Sequence, residues 1–156
     1  MAYGPHLFFE GYLAPGLKIL KDLDALLDLL YRVVDEFPGK IGMTKIRTPH
    51  IQMERDGKGR VNRLISYIFI AESHIAIHLW PEKEKLFLDV FSCKPFDHMA
   101  AIEYLREYFP MKKGHYLLME RGEDYEEIKP ALKDTIRFCE EAAQSGETRE
   151  LMLTST

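Results

Sequence analysis

Apolar residues recur at Leu23, Leu26, Leu27, Leu30, Val34 and Phe37, a spacing of three and four that predicts a one-sided helix over Asp22–Phe37, stopped by Pro38-Gly39. Elsewhere the period is two. His6–Leu13 reads as a first strand ended by the Ala14-Pro15-Gly16 turn, and Thr44–Glu54 as an edge or bulged strand interrupted by Pro49. Asp56–Arg60 is a turn, and the near-continuous apolar run Leu64–Ile70 suits a central strand. Ser73–Trp80 and Leu86–Ser92 alternate on either side of Pro81–Lys85, which predicts a hairpin. Asp97 caps a second helix bearing Ala101, Ile102, Leu105 and Tyr108, and Pro110 closes it. His115–Glu120 is the last strand, Asp124–Ala143 a third helix, and Gln144–Thr156 a loose polar tail.

Strands joined by turns outnumber helices, so the sheet should be largely antiparallel with helices on one face. The expected fold is an α+β two-layer sandwich, with one domain over 1–143 and a tail over 144–156. The second face of such a sheet needs cover, which a second copy could supply.

Composition narrows the function classes. With 46% hydrophobic and 29% charged residues, the chain has the balance of a soluble globular protein. A net charge of −4 argues against non-specific nucleic-acid binding and leaves room for a small cationic substrate. Two cysteines, Cys93 and Cys139, are too few for a disulfide framework. No apolar run approaches the roughly 20 residues of a membrane span. The start of the chain lacks a basic segment and a long apolar stretch, so a cytoplasmic location is expected.

The hairpin carries the candidate chemistry. A five-residue loop over 81–85 sets Trp80 against Leu86, and Ser73 then falls opposite Cys93. Alternation puts Ser73 with Ile75 and Ile77, and turns His74, Ala76 and His78 to the other face. Ser73 and His78 should therefore not meet along a regular strand. His74 and His78 would stand about 13 Å apart on a strand, which rejects them as a zinc pair, and no metal is expected. Cys139 lies on the apolar stripe of the third helix and reads as core.

The segment Glu72-Ser-His-Ile-Ala-Ile-His-Leu-Trp-Pro-Glu82, followed by Asp89-Val-Phe-Ser-Cys93, resembles the prokaryotic S-adenosylmethionine decarboxylases. Serine, histidine five later, glutamate nine later and cysteine twenty later is a specific spacing, and the similarity runs from His6 to about Gly122. It implies a proenzyme that cleaves itself between Glu72 and Ser73 and converts Ser73 into a covalent pyruvoyl cofactor. That group forms a Schiff base with the substrate amine and accepts electrons as carbon dioxide leaves. By similarity, His78 is the base for the elimination and Cys93 the proton donor in turnover.

The resemblance also implies that Glu82 accepts hydrogen bonds from the ribose. Phe9 would be an adenine-stacking platform and Glu10 a site carboxylate. The implied activity makes decarboxylated S-adenosylmethionine for spermidine synthesis, in a homodimer. Two positions depart from the family. The serine that assists processing eight residues before the cleaved one is Ile65 here, with Ser66 beside it on the opposite face. The aromatic residue that often stacks on adenine falls near Gly59. A pyruvoyl-dependent ornithine or arginine decarboxylase, or an unprocessed non-enzymatic homologue, are the alternatives those departures leave.

Overall fold

The computed structural model describes residues 4–121 and 148–151. The order is β1 (Gly4–Leu13), α1 (Leu23–Lys40), β2 (His50–Arg55), β3 (Val61–Ile70), β4 (Ser73–Trp80), β5 (Lys85–Ser92), α2 (His98–Tyr108), β6 (Met111–Arg121) and β7 (Thr148–Leu151). They form one sheet in the order β2-β3-β4-β5-β1-β6-β7, and every paired neighbour is antiparallel. The expected third helix over 124–143 lies outside the described residues. The tail is not wholly loose, because Thr148–Leu151 adds an edge strand to β6.

Asp22 caps α1 by accepting the Ala25 N–H, as Asp97 caps α2 through Ala100. The first helix runs past its expected stop to Lys40. Pro38 sits in the last turn, and its carbonyl gathers the N–H groups of Ile41 and Met43. Leu26, Leu30, Val33, Val34 and Phe37 are buried along α1, and Ala101, Ile102, Tyr104 and Leu105 along α2. Phe37 stacks on Tyr104 at 5.1 Å, and the Tyr104 hydroxyl donates to the Val33 carbonyl at 3.1 Å. Burial raises the Tyr104 hydroxyl well above the ordinary tyrosine value, so it stays a donor.

The helices cover one sheet face. Leu7, Phe9 and Leu13 of β1 point into that core with Leu64, Ile68 and Ile70 of β3, Ile75, Ile77 and Leu79 of β4, and Leu86, Leu88 and Val90 of β5. The other face carries Phe8, Tyr67, Phe69, His74, His78, Trp80, Phe87 and Phe91, with Phe69 52% and Phe8 39% exposed. An aromatic face this broad is open to a partner.

Phe9 is only 2% exposed and belongs to the core, so it is not the platform expected of it. Gly11 and Gly114 leave room for its ring: a Cβ at Gly114 would stand 2.6 Å from the Phe9 Cε2 atom. Phe8, its neighbour, takes the open face. Phe9→Ala should cost about 3–5 kcal/mol of unfolding free energy. Urea denaturation of an uncleavable background checks it; a loss under 1 kcal/mol, roughly the surface range, would contradict the placement.

Candidate active site

The β4–β5 connection fixes the site's register. Pro81–Lys83 form a single 3-10 turn and Glu84 takes a left-handed conformation with φ 51°, so Trp80 pairs with Lys85. The loop has one residue fewer than the pattern suggested. Ser73 consequently faces Ser92, and Cys93 lies one position beyond the ladder. The Cys93 side chain is exposed as a free thiol. Its backbone still reaches the β3–β4 turn, where the Cys93 N–H donates to the Glu72 carbonyl at 2.9 Å. Ser92 holds that corner by accepting from the Lys94 N–H at 3.1 Å and donating to the Lys94 carbonyl at 2.7 Å.

The Glu72–Ser73 bond is held from both sides. Glu72 is nearly buried; its carboxylate receives Lys94 Nζ at 2.8 Å and the Thr44 N–H at 3.0 Å. Lys94, then the Thr44 N–H, hold that carboxyl below the ordinary glutamate range. Ser73 has φ 150°, a region a side-chain-bearing residue rarely enters and which costs about 1–3 kcal/mol. A strained residue thus follows an anchored carbonyl that already accepts a hydrogen bond.

The open face brings together residues that pattern reading did not. His6 on β1, His74 on β4 and Asp89 on β5 converge, their polar atoms within 4.8 Å of one another. The His6 Nε2 hydrogen-bonds Asp89 Oδ1, the His74 Nε2 stands 3.6 Å from the same oxygen, and Ser73 Oγ lies 3.4 Å from His74 Nδ1. Arg121 donates to His6 Nδ1 at 3.2 Å. A guanidinium only donates, so neutral His6 carries its proton on Nε2 and donates a hydrogen bond from it to Asp89. A metal here would face the Arg121 cation and displace that proton, which makes the trio a hydrogen-bond network rather than a cation site. Burial works to raise the Asp89 carboxyl, but the hydrogen bonds from His6 and His74 outweigh it and hold Asp89 far below the usual carboxylate range.

The remaining expected residues are spread out. His78 is half-buried on the open face and stacks on Trp80 at 6.0 Å. Burial and then Arg63 lower its pKa against the opposing pull of Asp89, so it is a neutral imidazole at pH 7. It lies five residues along β4 from Ser73, on the order of 16 Å by strand rise. Glu82 is farther still, on the turn at the other end of the hairpin, where it pairs with Arg60 at 3.6 Å. Glu10 is exposed on β1, opposite Phe87 and His115. Ile65 pairs with His78 in an unbroken ladder, while Ser66 is buried on the helix side and donates to the Ile77 carbonyl at 3.3 Å. Ser66 therefore does not replace the upstream serine. Gly59 sits at φ 78° in the Asp56–Arg60 turn and offers no ring.

Ser73 thus follows an anchored carbonyl at the start of β4, in an antiparallel sheet with two helices on one face. The profile of the S-adenosylmethionine decarboxylase family matches residues 5–122, and the chain belongs to that family. An S-adenosylmethionine decarboxylase proenzyme from Archaeoglobus fulgidus is 31% identical over 124 residues, covering 78% of this chain and all of the relative. Another from Pyrococcus horikoshii is 34% identical over 104 residues, 58% of this chain and 73% of that one. A proenzyme from Clostridium botulinum strain Loch Maree is 41% identical over 56 residues, 35% of this chain and 48% of its own. The crystal structure of an adenosylmethionine decarboxylase from Aquifex aeolicus VF5 shares the fold with a TM-score of 0.55 and 23% identity, covering 80% of this chain and 95% of that one.

Proposed function

We propose that the chain is a self-processing S-adenosylmethionine decarboxylase whose Ser73 becomes a pyruvoyl group. Family membership favours this over decarboxylation of a basic amino acid and over an unprocessed homologue. The observation that carries the processing is the φ of 150° at Ser73. Replacing the Glu72–Ser73 amide by an ester frees the Ser73 nitrogen and with it the strained torsion. The Cys93 N–H, already on the Glu72 carbonyl at 2.9 Å, supports the oxyanion of the tetrahedral intermediate.

Ser73 Oγ attacks the Glu72 carbonyl carbon, the C–N bond breaks, and the nitrogen takes a proton. Removal of the Ser73 α-proton then expels the Glu72 carboxylate and leaves dehydroalanine. Its imine tautomer takes up water and releases ammonia, giving the pyruvoyl end. The site fits that group, because the residue to be converted follows a carbonyl that accepts the Cys93 N–H at 2.9 Å, and its hydroxyl lies 3.4 Å from His74 Nδ1.

Once present, the pyruvoyl carbonyl supplies an electron sink for the pair released with carbon dioxide. Cys93, carried one residue past Ser92 and exposed, returns a proton to the substrate α-carbon. Phe8 takes over the aromatic role that buried Phe9 cannot fill. Glu10 pairs with Phe87 as His78 does, so its carboxylate, like His78, would meet the sulfonium from a second copy.

His78 and Glu82 are out of reach of Ser73 within one chain. A second copy packed on the open aromatic face would run its β4 across the first and deliver both, while covering that face. The functional unit is thus a homodimer with a small-molecule substrate. The exposed Cys93 thiol suits a reducing, cytoplasmic setting. Among the described residues no helix is long and apolar enough to cross a membrane.

The test is release of labelled carbon dioxide from S-adenosylmethionine, ornithine and arginine. The wild-type protein should act on the first. Cys93→Ala should still be cleaved but turn over about 10²–10⁴-fold more slowly. Full activity in Cys93→Ala would remove the thiol from the mechanism, and activity confined to an amino acid would replace the substrate.

A further inference from the structure

We infer that His74 is the base that takes the Ser73 hydroxyl proton in the first step of self-cleavage, with Asp89, His6 and Arg121 as its positioning residues. The inference rests on the proenzyme reading and adds the group that starts it. A serine hydroxyl is a poor nucleophile until a neighbour accepts its proton. His74 Nδ1, 3.4 Å from Ser73 Oγ, is the ring nitrogen the structure sets against that hydroxyl. His78, the histidine associated with the later elimination, lies four residues further along β4 on the same face.

The direction of every hydrogen bond agrees. Arg121 can only donate to His6 Nδ1, so His6 Nε2–H donates to Asp89 Oδ1. Asp89, kept ionised, faces His74 Nε2 at 3.6 Å and favours the tautomer with the proton there. That leaves Nδ1 with its lone pair toward Ser73. The result is a serine–histidine–aspartate series with a second histidine and an arginine bracing the carboxylate. Phe91 packs against both imidazoles, its ring centroid 5.3 Å from His6 and 6.0 Å from His74, and limits their rotation.

In the step, the Ser73 Oγ–H proton moves to His74 Nδ1 as Oγ bonds to the Glu72 carbonyl carbon. The oxyanion rests on the Cys93 N–H. When the C–N bond breaks, the same proton passes from His74 to the departing Ser73 nitrogen, so the histidine ends neutral and nothing external is consumed. Asp89 balances the imidazolium in between. This arrangement also accounts for processing without a serine at Ile65.

The experiment follows newly synthesised full-length chain by intact mass, with and without hydroxylamine, which cuts an ester but not an amide. Wild type should lose the intact species. His74→Ala should cleave at least about 100-fold more slowly, resist hydroxylamine because the block precedes the ester, and regain cleavage in free imidazole. A merely structural role would not be rescued by imidazole. Asp89→Asn should slow the same hydroxylamine-insensitive step while leaving both imidazoles in place. If His74→Ala fails to fold by circular dichroism, Asp89→Asn decides: cleavage at the wild-type rate overturns the relay. Undiminished cleavage in a folded His74→Ala, or no rescue by imidazole, overturns it too while the proenzyme reading stands. A wild-type chain that never cleaves overturns that reading instead.

Discussion

Ser73→Ala leaves the polypeptide whole under every incubation and releases no carbon dioxide from S-adenosylmethionine. The methyl side chain keeps the fold and the strained position but removes the hydroxyl that attacks the Glu72 carbonyl. Strain alone does not break an amide. A φ of 150° contributes about 1–3 kcal/mol, a push of about 5-fold to 160-fold, and it needs an attacking atom to act through. The effect is therefore total for cleavage and total for turnover, since no keto group can form. The check is intact mass and carbon dioxide release. Cleavage at 72–73 in Ser73→Ala would place the nucleophile elsewhere.

His78→Ala stops one stage later and should fail differently. The amide-to-ester shift needs Ser73, the Glu72 carbonyl and the Cys93 N–H, which meet within one chain. Removal of the α-proton needs a base, and His78, made neutral by burial and Arg63, is suited to it. The variant should accumulate an ester that hydroxylamine cuts, with pyruvoyl formation about 10²–10⁴-fold slower. Because His78 stands on the order of 16 Å from Ser73 along the strand, co-folding Ser73→Ala with His78→Ala should restore cleavage of the second chain in mixed pairs. A His78→Ala chain that processes at the wild-type rate removes His78 from the elimination. Failure of the mixed pairs would confine the site to one chain.

Much of this was legible in the sequence, and the parts that were not share a cause. Alternation along Ser73–Trp80 correctly put His74 and His78 together on the face away from Ile75 and Ile77, because period two is a local property. The helix stripe from Leu26 to Phe37 was legible for the same reason. The register of the hairpin was not: it turns on Glu84 adopting φ 51°, and no glycine or asparagine signals a left-handed residue there. One residue of loop moved Ser73 from Cys93 to Ser92. The Phe8-Phe9 doublet could not be sorted by pattern, since what buries Phe9 is the space left by Gly11 and by Gly114, distant in the chain.

The His6–Asp89–His74 network was hidden most deeply. It depends on β1 inserting between β5 and β6, which places residues 83 positions apart side by side. Nothing in the local pattern of His6 announces that neighbour. A usable signal was nonetheless present: Asp89 is a charged residue in the otherwise apolar run Leu86–Phe91, and such a residue requires a partner. Asking which cation or donor could meet it would have pointed to the histidines.

The most direct measurement is the intact mass of the purified wild-type protein before and after borohydride. Two fragments, 1–72 and 73–156, are expected, the second beginning with a keto-capped end that takes up hydride. One undivided species, unchanged in mass by the reductant, would contradict the account.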